Sequence, residues 1–271
     1  MSNDNPDGLA EKIALITGVS SGIGRALTYG FHHAGVRVAG CALETEQLEP
    51  LQRELPGSYF AAADITNHHA FGEFFNSVCE VLGVPDILVA NAGITDQAHH
   101  SLANLPVPIW RKVVETNLTG TFITLKTVLP RMATVGRGNV IVVTSLLGQK
   151  SFGQANDGPY CASKFGIEGL VEVAVDEFSH EHGLNINTVF PASKVNTGFF
   201  ATLSAAEQAK LPPPEVLNEL VLYLSQLPPF SLTGHSINGK RWTMESEYRD
   251  QLFNTMSKTR KDDLPWAKSR Q

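Results

Sequence analysis

The segment GPYCASKFG, residues 158–166, places Tyr160 and Lys164 four residues apart among small neighbours. If the segment is helical, residues at i and i+4 lie on one face, so the phenol and the ammonium point the same way. A phenol titrates near pH ~10 in water, and a nearby cation favours its charged form. The spacing is therefore suited to a tyrosine that exchanges protons. The same spacing also occurs in an ordinary amphipathic helix in which the tyrosine is packed and the lysine is solvated.

A second stretch with chemical potential is the glycine-rich TGVSSGIG, residues 17–24, which directly follows an apolar run. Gly18 permits a tight turn, Gly22 permits a phosphate to approach the backbone, and Gly24 permits close helix packing. A helix that begins here offers free N–H groups and its positive dipole end to a pyrophosphate. This pattern predicts dinucleotide binding by Gly18, Ser20, Ser21, Gly22, Ile23 and Gly24.

Short apolar runs alternate with helical patterns along most of the chain. Strands are predicted at residues 12–17, 36–42, 58–64, 85–93, 138–145, 184–191 and, as a short last strand, 234–240. Such alternation indicates βαβ units and a parallel sheet covered on both faces. We predict an α/β fold with a doubly wound parallel sheet in a single domain at 10–242, a flexible N-terminus at 1–9 and a C-terminal extension at 243–271.

Composition narrows the classes of partner. The chain has 271 residues and a formal net charge of −6, which gives no overall attraction for nucleic acid or an anionic membrane. No apolar run is long enough to span a bilayer, and the polar start MSNDNPDG does not resemble a signal peptide. The three cysteines are far apart and odd in number, which favours free thiols in a reducing compartment. We expect a cytoplasmic protein.

Four motifs occur in an order typical of one enzyme family. They are the glycine loop, Asn91–Gly93 after the fourth strand, Ser145 after the fifth, and Tyr160 with Lys164. With Asn117 in VVETNLTG, they make the chain resemble the classical short-chain dehydrogenase/reductase family over about residues 10–240. The resemblance implies a Rossmann-type fold with a seven-stranded parallel sheet, usually assembled as a homodimer or homotetramer. It also implies an NAD(P)-dependent oxidoreductase that interconverts a ketone or aldehyde and an alcohol by hydride transfer.

The resemblance assigns roles to four side chains. Tyr160 is the general acid/base, and Lys164 hydrogen-bonds the nicotinamide ribose and lowers the tyrosine pKa. Ser145 holds the substrate oxygen, and Asn117 positions a water in a proton relay that reaches the lysine. Bringing a phenol from about 10 to near 7 requires roughly 4 kcal/mol of preferential phenolate stabilisation. We expect one ammonium in a partly desolvated site, with the cationic oxidised nicotinamide, to supply it.

Further cofactor contacts follow from the same resemblance. Asp64 and Ile65 match the acidic and aliphatic pair that such enzymes place against the adenine. The residues Asn91, Ala92 and Gly93 line the cofactor, although Asn91 alternatively serves mainly to brace the central sheet.

The loop after the sixth strand, PASKVNT, begins at Pro191 and departs from the family pattern Pro-Gly-x-Val-x-Thr. It has Ala192 in place of the glycine and one extra residue. Thr197 resembles the threonine that contacts the nicotinamide carboxamide. The insertion leaves Lys194 either near an anionic group or in solvent.

In dinucleotide-binding folds, residues at the end of the second strand discriminate between NAD and NADP. An Asp there accepts hydrogen bonds from the ribose of NAD, whereas an Arg meets the 2′-phosphate of NADP. This chain has Ala42 and Leu43 instead, and Glu44 would repel a phosphate. Neutral donors such as Ser20 and Ser21 contribute roughly half of what a charged partner does. We therefore expect NAD(P)(H) as cofactor, with NAD(H) modestly favoured over NADP(H).

The family's substrate region maps onto three loops. The candidate substrate contacts are the apolar Leu146, Leu147, Phe152, Phe199 and Phe200 and the polar Gln149 and Asn156. If these side chains are not simply core, they favour a ketone or secondary alcohol with an apolar or ring-shaped body. The segment from Thr197 to about Pro213 would act as a mobile lid.

The same sequence bears on three other classes of protein. The His pairs diverge on regular elements and no Cys/His cluster has zinc spacing, so no metal site is expected. A lyase or epimerase on this scaffold remains an alternative. A non-catalytic nucleotide-sensing regulator is another, but such proteins tend to lose the tyrosine or the lysine, and both are present here.

Overall fold

The computed structural model describes residues 8–256, built around one sheet of seven parallel strands. The strands are Ile13–Thr17 (β1), Arg37–Ala42 (β2), Tyr59–Ala62 (β3), Ile87–Ala90 (β4), Gly138–Val143 (β5), Leu184–Phe190 (β6) and Ser236–Asn238 (β7). Their order is β3-β2-β1-β4-β5-β6-β7. The Rossmann-type doubly wound fold is thereby confirmed. Strands predicted at 58–64 and 85–93 are shorter in the structure because residues at their ends belong to loops.

Helices cover both faces of the sheet. They are Gly22–His33 (α1), Glu49–Glu54 (α2), His68–Val81 (α3), Val107–Val114 (α4), Gly120–Val135 (α5), Gly158–His182 (α6), Ala205–Gln208 (α7), Asn218–Leu224 (α8), Gly239–Met244 (α9) and Ser246–Met256 (α10). A π-helical turn at Glu115–Thr119 joins α4 to α5, and a 3-10 turn at Leu146–Gly148 follows β5. None of the helices within 8–256 is long and apolar enough to cross a membrane.

The central strand β1 is apolar up to its last residue, Thr17. Alternate side chains of a strand face opposite sides of the sheet. Ile16 packs in the cluster that contains Phe31 of α1, whereas Leu15 packs in the cluster that contains Phe71 of α3. Since both faces are covered, every residue of β1 is buried.

The strand order reverses between β1 and β4, and this reversal sets the place of the site. The chain runs outward from β1 to β3, then crosses back to place β4 on the other side of β1. Beyond the ends of β1 and β4 the chain therefore continues in different directions. Sheets of this kind bind ligands in the crevice that forms at this point.

The C-terminal part of the described chain packs onto the core. Helix α9 runs across residue 242, the predicted domain boundary, and α10 belongs to the predicted extension. Trp242 and Leu252 are buried in the same cluster as Leu9, from the opposite end of the chain. Residues 1–7 and 257–271, the rest of the predicted N-terminal and C-terminal segments, lie outside the described residues.

Candidate active site

A cavity of about 690 Å³ lies at the carboxyl ends of the strands, beside the reversal of strand order. The structure brings most predicted site residues to its wall: Gly18, Ser21, Gly22, Ile23, Leu43, Asp64, Ile65, Asn91, Ala92, Gly93, Ser145, Leu146, Leu147, Tyr160, Lys164, Pro191, Thr197, Phe199 and Phe200. Seven predicted residues do not line it: Ser20, Gly24, Ala42, Asn117, Gln149, Phe152 and Asn156.

The glycine loop needs its glycines for steric reasons. Gly18 has a φ of +74°, and a Cβ there would lie 2.9 Å from the Cα of Ala92. A Cβ on Gly24 would lie 2.1 Å from the carbonyl oxygen of Gly18, so this glycine supports the loop from behind the cavity wall. Asn91 Nδ2 donates to the carbonyl oxygens of Thr17 at 3.1 Å and Gly18 at 3.3 Å. Asn91 thus braces the ends of β1 and β4 while lining the cavity.

The far end of the cavity lies at the ends of β2 and β3. Leu43 is 69% exposed and lines the wall, whereas Ala42 is buried in the core because alternation along β2 turns it away. Asp64 Oδ1 accepts hydrogen bonds from the backbone and hydroxyl of Thr66, at 2.8 and 2.7 Å. Ile65 is buried yet forms part of the wall.

Tyr160 and Lys164 project from the first turns of α6 into the same cavity. The Nζ of Lys164 lies 5.8 Å from the centroid of the Tyr160 ring. Burial raises the pKa of Tyr160 to about 12, and a hydrogen bond with Ser145 only partly opposes this effect. The direction differs from the lowering expected from sequence, because desolvation of the phenolate dominates in this protein.

Lys164 is itself buried. Its Nζ donates to the carbonyl oxygen of Val143, the last residue of β5, at 2.9 Å. Burial lowers the pKa of Lys164 to about 8, and the charge of Glu168 acts in the opposite direction. The lysine therefore remains mostly protonated at neutral pH.

Ser145 reaches the tyrosine because the turn after β5 packs directly on α6. A Cβ on Gly148 would lie 2.9 Å from backbone atoms of Lys164, so only glycine permits this contact. The serine caps the 3-10 turn, where its Oγ accepts from the backbone N–H of Leu147 at 3.1 Å.

Asn117 lies behind the wall, inside the π-helical turn between α4 and α5. Its Oδ1 accepts from the backbone N–H of Ile94 at 2.7 Å, and its Nδ2 donates to the carbonyl oxygen of Ile94 at 2.9 Å and to Ser163 Oγ at 3.0 Å. It fixes the loop after β4 against the helix that carries Tyr160. The widened turn is a feature often found at functional sites.

Aromatic side chains form part of the cavity wall beside Tyr160. The ring of Phe199 meets the tyrosine edge-on, with ring centroids 5.9 Å apart. Lys194 also lines the cavity, and its Nζ lies 5.3 Å from the centroid of the Phe200 ring. Within the predicted lid, α7 is a short helix. The backbone N–H of Asn196, just before the lid, donates to the carbonyl oxygen of Pro212 at 2.8 Å. The mobility of this segment stays a prediction.

Three predicted substrate contacts lie elsewhere. The side-chain amide of Gln149 donates to Glu168 at 2.8 Å and to Ser236 at 3.0 Å, which holds it away from the cavity. Phe152 and Asn156 are exposed on the loop before α6, and neither lines the wall.

Two features of the site were missed from sequence. Glu168 accepts hydrogen bonds from Thr144, Gln149, Thr188 and Ser236 and so ties α6 to β6, to β7 and to the segment after β5. It lies one helical turn after Lys164, a spacing that offered a signal. The second feature is His99, which lines the cavity and pairs with Asp157 at 3.0 Å. No sequence motif marked this pair.

The cavity fits a nicotinamide dinucleotide. Helix α1 begins at Gly22 with no acidic residue in its first turn, and its N-cap Ser21 makes no side-chain capping bond. Backbone N–H groups are therefore available to a pyrophosphate at a glycine that presents no Cβ. From there the cavity extends to Leu43 and Asp64 at one end and to Tyr160 at the other.

Comparisons with known proteins agree with this geometry. The chain matches the model of the short chain dehydrogenase family over residues 12–208. It is 36% identical over 172 residues to an NADPH-dependent pterin aldehyde reductase of Arabidopsis thaliana, covering 62% of this chain and 70% of the relative. It is 30% identical over 231 residues to a cis-4-hydroxycyclohexanecarboxylate dehydrogenase of Sinomonas cyclohexanicum, covering 81% and 91%.

A solved structure of a putative gluconate dehydrogenase from Agrobacterium tumefaciens superposes with a TM-score of 0.76 at 25% identity, covering 85% of this chain and 94% of that one. Fold and site thus define a nicotinamide-dependent oxidoreductase with a Rossmann-type fold. The chain belongs to the short-chain dehydrogenase/reductase family. It is an NAD(P)-dependent oxidoreductase that acts on CH–OH groups.

Proposed function

We propose that the protein interconverts a small ring-shaped or apolar ketone and its secondary alcohol, with Tyr160 as general acid/base. The observation that carries this proposal is the meeting of Ser145, Tyr160 and Lys164 on the wall of the cavity that begins at the glycine loop. The apolar side chains Leu146, Leu147 and Phe199 beside them support the substrate class. The relative named for a hydroxycyclohexane carboxylate supports a ring-shaped body.

When bound, a nicotinamide would supply or accept the hydride, and the side chains of this protein would stabilise the charge and transfer the proton. In carbonyl reduction, negative charge develops on the substrate oxygen. Ser145 donates a hydrogen bond to that oxygen, and Tyr160 transfers its proton to it. Lys164 would hydrogen-bond the ribose of a bound nicotinamide and would stabilise the phenolate that remains. Asn117 orders the adjoining loop and holds a water on the path that returns a proton to the lysine.

The protonation state of the site favours reduction near neutral pH. Because burial raises the pKa of Tyr160 to about 12, its hydroxyl carries the proton that reduction consumes. Oxidation of an alcohol requires the same phenol to lose its proton first. We therefore propose that the rate of oxidation rises toward alkaline pH.

For the cofactor, we propose a modest preference for NAD(H) over NADP(H). The cavity wall at the end of β2 has the exposed Leu43 where an arginine would meet a 2′-phosphate. Asp64 contributes a carboxylate to the same wall and would repel that phosphate.

For assembly and location, we propose a homodimer or homotetramer in the cytoplasm. Exposed apolar side chains on the neighbouring helices α5 and α6, among them Phe122, Phe165 and Val173, support association. The free thiols of Cys41, Cys79 and Cys161 support a reducing compartment. Light scattering on the purified protein tests the assembly, and a monomer at micromolar concentration would contradict it.

The test of the function is direct. Purified protein is mixed with NADH or NADPH and a panel of cyclic and linear ketones and aldehydes, while absorbance of the reduced nicotinamide is followed. We expect consumption of the reduced cofactor, fastest with cyclic ketones. Tight cofactor binding without turnover of any carbonyl or alcohol would favour the nucleotide-sensing alternative instead.

A further inference from the structure

His99 and Asp157 form a polar pair on the cavity wall near Tyr160. The Nδ1 of His99 lies 3.0 Å from Asp157 Oδ1, and both residues line the wall. The imidazole is 38% exposed, whereas the carboxylate is only 7% exposed. Asp157 directly precedes α6 and lies three residues before Tyr160, so the pair is anchored beside the reacting end of the cavity.

The carboxylate of Asp157 is not used to cap its helix. Asp157 occupies the N-cap position of α6, yet its side chain makes no capping bond. Its two oxygens instead accept from His99 and from the Nε2 of Gln154, at 3.0 and 2.8 Å. Gln154 also lines the cavity. A buried carboxylate that orients two cavity-lining side chains indicates a binding role.

The backbone at His99 is held in an uncommon conformation. Its φ is +49°, in the left-handed region that non-glycine residues seldom adopt, although asparagine, aspartate and histidine do so more often than the others. The buried Asp96 stabilises this turn by accepting from the backbone N–H groups of Ala98 and His100. Burial alone would raise the pKa of Asp96, but these bonds and one from the His100 imidazole hold it below its ordinary value. Strain of this kind concentrates at ligand-binding sites.

The partner of Nδ1 determines what the other ring nitrogen does. An ionised carboxylate only accepts hydrogen bonds, so Nδ1 of His99 carries a proton. In the neutral imidazole, Nε2 is then an acceptor. Among residues 8–256, no side chain or backbone group donates a hydrogen bond to this Nε2.

We propose that His99 determines substrate specificity by accepting a hydrogen bond through Nε2 from a second hydroxyl group of the substrate. The preferred alcohol is then a diol, and the preferred carbonyl compound is a hydroxyketone. Asp157 is the positioning residue that fixes the tautomer. This inference rests on the proposed function, because it assumes that the reacting carbon lies beside Tyr160.

The test compares alcohols that differ only in the second hydroxyl. Oxidation of cyclohexane-1,2-diol, 1,3-diol and 1,4-diol is measured against cyclohexanol under identical conditions. For the wild type, we expect kcat/KM for at least one diol to exceed that for cyclohexanol by about tenfold or more. In His99→Asn this ratio falls toward one, because asparagine tolerates the left-handed backbone but is too short to place an acceptor at the Nε2 position.

Three further variants separate binding from folding. Asp157→Asn should also lower the diol ratio, since an amide no longer enforces the Nδ1–H tautomer. His69→Phe, on the exposed surface outside the cavity, should leave the ratio unchanged. His99→Phe provides a second removal of the acceptor if the asparagine variant fails to fold.

The outcomes distinguish the two claims. A wild type that oxidises cyclohexanol and every diol equally well overturns this inference while leaving the proposed function standing. A folded His99→Asn protein that keeps the full diol preference overturns it too. Failure to turn over any of the four alcohols, with either NAD or NADP, counts against the proposed function and removes the basis of the inference.

Discussion

Glu168 Oε1 accepts a hydrogen bond from the hydroxyl of Thr144 at 2.7 Å, and Thr144 directly precedes Ser145. The same carboxylate lies one helical turn beyond Lys164 and favours its charged form. One side chain outside the cavity wall therefore supports both the residue proposed to hold the substrate oxygen and the residue proposed to stabilise the phenolate.

Replacing this carboxylate with an amide should affect the pH profile of reduction. In Glu168→Gln the pKa of Lys164 falls further, because burial is no longer opposed by a neighbouring negative charge. We expect the alkaline limb of kcat/KM for reduction to begin at lower pH than in the wild type. Glu172→Gln, on the exposed side of α6, is the matched control and should keep the wild-type profile. An unchanged alkaline limb in Glu168→Gln would exclude this supporting role.

Burial of Lys164 should also make stability depend on pH. Burial lowers its pKa from 10.5 to about 8, so the unfolded protein binds more protons between these values. The free energy of unfolding therefore rises with pH across this window, by about 3 kcal/mol. The raised pKa of Tyr160 has the opposite effect only above about pH 10.

Lys164→Met removes this contribution. Urea unfolding of both proteins between about pH 7.5 and 10 gives the difference in unfolding free energy, which cancels the effects of other titrating groups. We expect the wild type to gain stability relative to the variant as pH rises. If the unfolding free energies of the two proteins changed in parallel with pH, burial of the Lys164 ammonium would carry no energetic cost.

Gly24→Ala tests the glycine loop. The added Cβ would lie 2.1 Å from the carbonyl oxygen of Gly18, so the helix must move away from the loop. We expect a loss of about 1–3 kcal/mol of stability and weaker binding of NADH. Gly169→Ala is the control, because nothing lies within 4 Å of a Cβ there and alanine favours the helix. Equal cofactor affinity in the Gly24 variant and the wild type would contradict the assigned role.

Leu43→Arg tests cofactor choice. An arginine at this exposed position on the cavity wall would form charge-assisted hydrogen bonds with a 2′-phosphate. We expect the ratio of the Kd values for NADPH and NADH to fall at least tenfold in the variant. Leu102→Arg, at an exposed leucine outside the cavity lining, controls for added charge. Wild-type protein that binds NADPH tenfold tighter than NADH would refute the proposed preference for NAD(H).

The sequence predicted the sheet and most of the cavity wall because these follow from local patterns. Apolar runs define buried strands, and the loops after β1 and β4 bring Gly18 and Asn91 to the place where strand order reverses. The direction of the Tyr160 pKa shift could not be predicted, because it depends on how completely the folded protein excludes water from the phenol. The resemblance assigns Gln149 to the substrate because it follows Ser145, and no local pattern indicates its hydrogen bond with Glu168, which lies nineteen residues further along the chain. The pairing of His99 with Asp157 spans 58 residues and has no local signal.

The central claim is that Tyr160 transfers the proton. The most direct measurement is the single-turnover rate of reduced-nicotinamide oxidation by the best ketone in Tyr160→Phe, with the Kd for the cofactor measured on the same preparation. We predict a rate at least ~10²-fold below that of the wild type with cofactor affinity nearly unchanged, whereas Tyr59→Phe, outside the cavity, keeps the wild-type rate. A Tyr160→Phe protein that reduces the ketone at close to the wild-type rate would contradict the account.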